Sequence, residues 1–233
     1  MSRDEKDENF QARREAARDA VNAIDSNIRR GAPERDAFFN AVYEQAHGDP
    51  AFVPWADLAP KHQLVQWLEK HPGEGKRAID IACGLGDNAE ALAGAGYETT
   101  AFDLASDAIE WAKRRFPETT VDYRVANLLE PPADWQGGFD LVNECYTLQS
   151  VPEQMLDAMV PATAALVAPG GTLLVYARIR PDGTKHEGPP WPLTESNAMR
   201  LADHGLELVS REAFDLHRPD RTIAHWFCVW RRA

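Results

Sequence analysis

The residues best able to do chemistry are densest in one stretch, Ala78-Ile-Asp-Ile-Ala-Cys-Gly-Leu-Gly-Asp-Asn-Ala-Glu-Ala-Leu-Ala93. An apolar run leads into Gly84-x-Gly86, and a helical pattern begins near Asp87. Glycines at that point let the backbone turn sharply and let a ligand lie against bare main chain. Asp103 follows Gly84 by nineteen residues, at the end of the next apolar run. A carboxylate there can accept both hydroxyls of a ribose. Together these residues describe a nucleoside site at one edge of a sheet. Gly84-Leu-Gly86-Asp-Asn-Ala89 also satisfies the loose dinucleotide fingerprint. Asp80 inside the strand, with Asp87 and Asn88 at the helix start, opposes a pyrophosphate there and suits a ligand with a sulfonium and an amino group. A cationic nucleoside is the expected ligand; a dinucleotide and a bare βα turn are the alternatives.

The elements that must position these residues follow from hydrophobic periodicity. Candidate strands are Arg77–Cys83, Glu98–Leu104, Val121–Asn127, Phe139–Cys145, Gly171–Ile179, Leu206–Leu216 and Thr222–Arg232. Helices are expected over Asp87–Ala95, Ser106–Phe116 and Glu153–Val167. Such alternation predicts a doubly wound α/β sheet, mostly parallel and covered on both faces. Only five residues separate the last two strands, which permits only an antiparallel pair, so a hairpin-linked antiparallel last strand is expected at the end of the sheet. Before the sheet, Phe10, Ala17, Val21, Ile24 and Ile28 mark a helix within residues 3–30, ended by Gly31-Ala-Pro33. Shorter helices are expected over Glu34–Ala46 and Pro60–Lys70. Residues 1–70 read as a helical cover and residues 71–233 as the sheet-bearing core of one compact domain, with residues 1–46 as a mobile lid.

Asp80-x-x-Cys83-Gly84-x-Gly86 followed by Asp103 resembles the first two motifs of class I S-adenosylmethionine-dependent methyltransferases. The resemblance continues through Phe139-Asp-Leu-Val-Asn-Glu-Cys-Tyr146 and Val167-Ala-Pro-Gly-Gly-Thr-Leu-Leu174. Asn127 departs from it, standing where the superfamily often has an acid beside the adenine amino group; its side-chain carbonyl could accept the same hydrogen bond. The resemblance implies a Rossmann-like methyltransferase fold, S-adenosyl-L-methionine as cofactor, and a cofactor site of Trp55, Asp80, Ala82, Cys83, Gly84, Gly86, Asp87, Asn88, Asp103, Leu104, Asn127, Leu128, Glu144 and Cys145.

Two further segments, Val53-Pro-Trp-Ala-Asp-Leu-Ala-Pro60 and Gly188-Pro-Pro-Trp-Pro-Leu193, resemble parts of the small-thiol, thiopurine and thiocyanate/halide methyltransferases. By that resemblance Trp55 covers the cofactor and Trp191 walls the acceptor. The implied reaction is direct displacement of a methyl group onto a small thiol or sulfide. Alternatives are an oxygen or nitrogen acceptor, an NAD-dependent oxidoreductase, and a cofactor-binding protein without catalysis. A soft nucleophile needs alignment and desolvation more than a strong base. Tyr146, just past the fourth strand, is a candidate to orient or deprotonate the acceptor. Arg178, at the end of the fifth, is a candidate to lower a thiol pKa or to hold an acceptor carboxylate. Tyr43 is a candidate on the acceptor side within the lid. Cys145 reads as a small apolar filler, and the seven histidines as surface or loop residues, with His186 and His217 kept in view.

The formal net charge is −12, which argues against a nucleic-acid groove and against docking on anionic membranes. Cys83, Cys145 and Cys228 form no disulfide or zinc framework, and no metal site is expected. The N-terminal residues lack the apolar core of a secretion signal, and no apolar run reaches the length of a bilayer span. The expected protein is cytoplasmic, a monomer or homodimer, and acts on a small molecule.

Overall fold

A computed structural model describes residues 3–27, 35–218 and 221–233. Seven strands form one sheet in the order β3-β2-β1-β4-β5-β7-β6: β1 (Arg77–Ile81), β2 (Glu98–Asp103), β3 (Asp122–Val125), β4 (Phe139–Cys145), β5 (Val167–Arg178), β6 (Leu206–Arg218) and β7 (Arg221–Arg232). β7 runs antiparallel to both neighbours, while β1 through β5 pair in parallel. Helices α4 (Asp87–Gly94), α5 (Ser106–Arg115) and α6 (Leu156–Ala165) supply the crossovers. The fold is the doubly wound, Rossmann-like methyltransferase architecture expected from the sequence.

β1 and β4 are buried on both faces, so their residues read as nearly continuous apolar runs. The exceptions matter: Asp80 pairs in register with Asn143, and Ile81 with Glu144. Strand order reverses between these two strands, and ligands of open α/β sheets bind at that switch point. Burying polar side chains there costs free energy unless something pairs with them.

β7 does not end the sheet. It enters between β5 and β6, leaving β6 as the edge. Composition explains the exchange: Phe227, Cys228 and Trp230 of β7 are buried, whereas β6 after Leu206 exposes Glu207, Arg211, Glu212, Asp215 and Arg218. A charged edge strand resists pairing with other chains. Other differences are local. β5 begins at Val167, which the sequence pattern assigns to the preceding helix. A short helix, α7 (Glu195–Met199), stands between β5 and β6 and was not anticipated. Thr194 caps it by accepting from the Asn197 amide.

α1 (Arg3–Asn27), α2 (Arg35–Ala46) and α3 (His62–Leu68) precede the sheet. Val21 and Ile24 of α1 pack on Phe38 and Val42 of α2, which buries the apolar stripe of an otherwise charged helix. Ile28 and Gly31-Ala-Pro33 lie outside the described residues. Among the described residues no helix is long and apolar enough to cross a membrane.

Candidate active site

The turn from β1 to α4 holds Ala82, Gly84 and Gly86 at φ values of 51°, 54° and 90°. A Cβ on Gly86 would stand 2.3 Å from the Tyr123 hydroxyl oxygen, so both dihedral and space demand glycine. The turn is tied to β2: the Cys83 amide donates to the Phe102 carbonyl, and the Gly84 amide to Asp103 Oδ2 at 3.0 Å. Asp103 Oδ1 accepts from the Ala105 amide, so the carboxylate is held at the strand end with Leu104 beside it. Burial raises the Asp103 pKa while the backbone donors oppose the rise.

Asp80, in β1 ahead of the turn, is buried. Its Oδ1 accepts from Asn143 Nδ2 at 2.7 Å, and its Oδ2 has no partner among the described residues. Burial pushes this carboxyl up to about 7, with Asp103 and Asp87 adding to the rise. Glu144 behaves alike: Oε1 accepts from the Thr147 and Leu148 amides, Oε2 has no partner among the described residues, and burial lifts the group to about 7. Two buried carboxyls, each with an orphaned oxygen at the switch point, fit a cationic ligand. The Cys145 thiol is pushed up to about 12 by burial, consistent with its reading as a filler.

Trp55 Nε1 donates to the Tyr43 hydroxyl at 2.8 Å, and both rings lie against Gly84, where a Cβ would meet the Tyr43 oxygen at 3.3 Å. Trp55 therefore lies against the glycine turn, with Tyr43 beside it.

Two residues of the expected cofactor set do structural work. Asp87 is held bidentately by Arg115 at 2.7 and 2.8 Å, clasping α4 to α5, so its charge is compensated and carries less weight against an anionic ligand than the sequence suggested. Asn88 Oδ1 accepts from the Lys61 amide and fixes the start of α3. After β3, Asn127 Oδ1 accepts from the Leu129 amide, while Leu128 turns into the core.

A second cluster occupies the same edge over β4, β5 and β7. Tyr146 has φ +68°, a costly conformation for a non-glycine residue and one that clusters at functional sites. Its hydroxyl lies 2.8 Å from His225 Nε2. His225 Nδ1 lies 2.8 Å from the Ile223 carbonyl, which only accepts, so Nδ1 carries the proton and Nε2 accepts from Tyr146. Burial drops His225 to about 4, with Arg178 and Lys61 contributing, so the ring is neutral at physiological pH. Burial also lifts the Tyr146 phenol above its ordinary value. Tyr176 and Phe214 complete an aromatic group with ring centroids 5.2 to 5.8 Å apart. Lys61 Nζ stands 4.6 Å from the Tyr146 ring centroid, and the Arg178 guanidinium 5.6 Å from it. The backbone amide of Arg178 donates to Gln149 Oε1, and the Gln149 carbonyl accepts from the Trp191 amide, which draws the 180–193 loop onto this edge.

His225 and Lys61 were missed from sequence. The grouping of all seven histidines as surface or loop residues fails for His225, which is 1% exposed inside β7. Its signal was a lone polar residue on the inward face of an apolar strand, two before Phe227. His217 and His186, kept in view instead, are both exposed. Among the described residues no group of three His, Cys, Asp or Glu side chains is placed to hold a metal ion.

Residues 78–171 match the family described as "Methyltransferase domain". The Ubiquinone biosynthesis O-methyltransferase of Xanthomonas campestris pv. campestris (strain B100) is 34% identical over 133 residues, 48% of this chain and 55% of the relative. The enzyme of the same description from Chromobacterium violaceum is 30% identical over 141 residues, 59% of each chain. The chain spans about half the length of the curated relatives it matches first. The solved structure of Burkholderia thailandensis 1,6-didemethyltoxoflavin-N1-methyltransferase, with bound 1,6-didemethyltoxoflavin and S-adenosylhomocysteine, superposes with a TM-score of 0.66 at 18% identity, covering 87% of this chain and 91% of that one. At such identity the likeness is one of fold. The family match contains Asp80, Asp103, Glu144 and Tyr146, and excludes Lys61, Arg178 and His225.

Proposed function

We propose that this chain, whose residues 78–171 form a methyltransferase domain, transfers a methyl group from S-adenosyl-L-methionine to a small acceptor by direct displacement, and that the acceptor atom is an oxygen. The observation that carries the cofactor is the pair of buried carboxyls, Asp80 and Glu144, each with an orphaned oxygen beside the glycine turn. Asp80, Gly84, Gly86, Asp103, Asn127 and Glu144 would hold the cofactor, which supplies a methyl group on a positive sulfur when bound. Trp55 and Tyr43 roof the turn and keep water out, and α1 and α2 act as the cover above them.

The chain's own work on the acceptor falls to the second cluster. Tyr146 donates its proton to His225, and its oxygen, which also accepts from the Tyr176 hydroxyl and lies against the Arg178 guanidinium, is the group that would receive the acceptor's proton. As the acceptor oxygen forms its bond to the methyl carbon, its proton passes to the Tyr146 oxygen, and the Tyr146 proton passes to His225 Nε2. A ring held near 4 is a weak base, so the relay suits an acceptor that Lys61 has already made acidic. The oxygen assignment draws its support from this relay and from the O-methyltransferases of similar sequence. Transfer to a thiol is the second reading, supported by the Trp55 and Trp191 segments and by the lack of a strong base.

Purified chain incubated with S-adenosylmethionine and parallel panels of catechols and thiols, with S-adenosylhomocysteine as the readout, tests the proposal. Faster turnover of catechols is expected. Thiols turned over faster would select the second reading, and a chain that neither binds the cofactor nor releases product would remove both. The cover is tested by limited proteolysis: cleavage within residues 1–46 should slow when cofactor is added, and equal cleavage counts against it.

A further inference from the structure

Around the acceptor side of the edge, Arg13, Lys61 and Arg218 stand with Asp57 and Asp215, in a chain of net charge −12. A cleft of about 1280 Å³ opens between α1 and the end of β6. Lys61 and Tyr176 form its inner wall, Phe214 and Arg218 one flank, and Phe10 and Arg13 of α1 the other. Lys61 and Tyr176 also belong to the Tyr146 cluster, so the cleft borders that cluster, with Tyr146 and Arg178 one side chain behind its lining.

The cations around this path differ in how they are neutralised. Lys61 pairs with Asp57, which also takes Arg14, and Arg13 pairs with Asp49. Arg178 has no carboxylate partner among the described residues, and its buried Nε has no hydrogen-bond acceptor there. Arg221 and Arg218 are both near enough for their charges to act on Arg178. A half-buried guanidinium close to two like charges, hydrogen-bonded to Tyr146 but with a desolvated Nε–H left without an acceptor, is costly unless an anion completes it. The orphaned Nε–H is one of the two donors with which arginine grips a carboxylate side-on.

We propose that the methyl acceptor is a small aromatic carboxylate, its anionic group taken by Arg178 with support from Arg218, its ring against Tyr176 and Phe214, and its nucleophile presented at Tyr146. The aromatic walls fit a flat ring, and the planar fork selects a planar anion. The inference names the acceptor class of the methyl-transfer site and rests on that reading.

The test is calorimetric binding to the full chain saturated with S-adenosylhomocysteine, which separates recognition from turnover. The probes are 3,4-dihydroxybenzoate, its uncharged amide, catechol and phenyl phosphate. The acid should bind at least about tenfold tighter than the amide, the range expected when a charged hydrogen bond is lost. Arg178→Gln should bring the two within about twofold while the amide and S-adenosylhomocysteine bind as in wild type, and Arg178→Lys should restore part of the preference. Should Arg178→Gln fail to fold, Arg218→Gln provides the second arm, with the acid-to-amide ratio falling at least about threefold. Equal binding of acid and amide, or binding of neither, overturns the proposal. Phenyl phosphate binding tenfold tighter than the acid overturns the carboxylate and reassigns the anion. A wild-type chain that fails to bind S-adenosylhomocysteine points instead to failure of the methyltransferase reading itself.

Discussion

Replacing Asp80 with Asn should make the unliganded protein more stable at alkaline pH while weakening its hold on the cofactor. Asp80 is 1% exposed, receives one hydrogen bond from Asn143, and is pushed up from 3.8 to about 7 chiefly by burial. A buried acid with a raised pKa favours its neutral form in the native state, so it removes stability as pH climbs from its unfolded value towards 7 and has no further effect above that. From about pH 5.5 to about pH 8, roughly 1.5 units of that window are crossed, at about 1.4 kcal/mol per unit, or about 2 kcal/mol. Glu144, also raised to about 7, contributes a similar amount, so the wild type should lose about 4 kcal/mol over the interval. Asp80→Asn should lose about 2 kcal/mol or slightly less, because the Asp80 charge also raises Glu144. Urea denaturation followed by far-ultraviolet circular dichroism at the two pH values measures both slopes. Titration with S-adenosylmethionine at the higher pH should show affinity falling by at least about tenfold, as a desolvated charge partner is lost. A variant that keeps the full wild-type pH dependence would refute the assignment of these two carboxyls as buried, cofactor-facing acids.

Tyr146→Phe should lower kcat by about ten- to a hundredfold with little change in cofactor affinity, and His225→Leu should do the same, both read by S-adenosylhomocysteine release. Because His225 stays neutral above about 4, no histidine limb is expected in the wild-type rate at saturating cofactor between about pH 5 and 8; a limb near 6.5 that persists in Asp80→Asn and disappears in His225→Leu would contradict the relay. Gly86→Ala forces a Cβ to 2.3 Å from the Tyr123 oxygen at φ +90°, and should cost at least about 2 kcal/mol in urea denaturation. Trp55→Ala strips the ring from the glycine turn and leaves the Tyr43 hydroxyl without its donor; cofactor affinity should fall by roughly tenfold, and an unchanged affinity would show that the indole only anchors its loop.

The order of strands and helices was legible in the sequence because each element carries its own period: continuous apolar runs for β1 and β4, a 3.6-residue stripe for α5. The glycine turn was legible for the same local reason. Gly84 and Gly86 need positive φ whatever surrounds them, and Asp103 reaches the Gly84 amide because adjacent parallel strands end side by side. What the chain does not announce is which distant residues meet. Tyr146 and His225 are 79 positions apart and touch only because β7 inserts beside β5 in antiparallel register, placing His225 opposite Arg178. Lys61, an unremarked residue after Pro60, reaches Tyr146 because Asn88 fixes the start of α3. Asp87, which looked like a ligand-facing acid, is claimed by Arg115 from the next helix. Short-range spacing therefore determined the cofactor edge, where backbone geometry is the recognition element. Tyr146 and Arg178 were legible as strand-end candidates, but their meeting with Lys61 and His225 was decided by tertiary structure, since those side chains come from elements whose pairing no local period encodes.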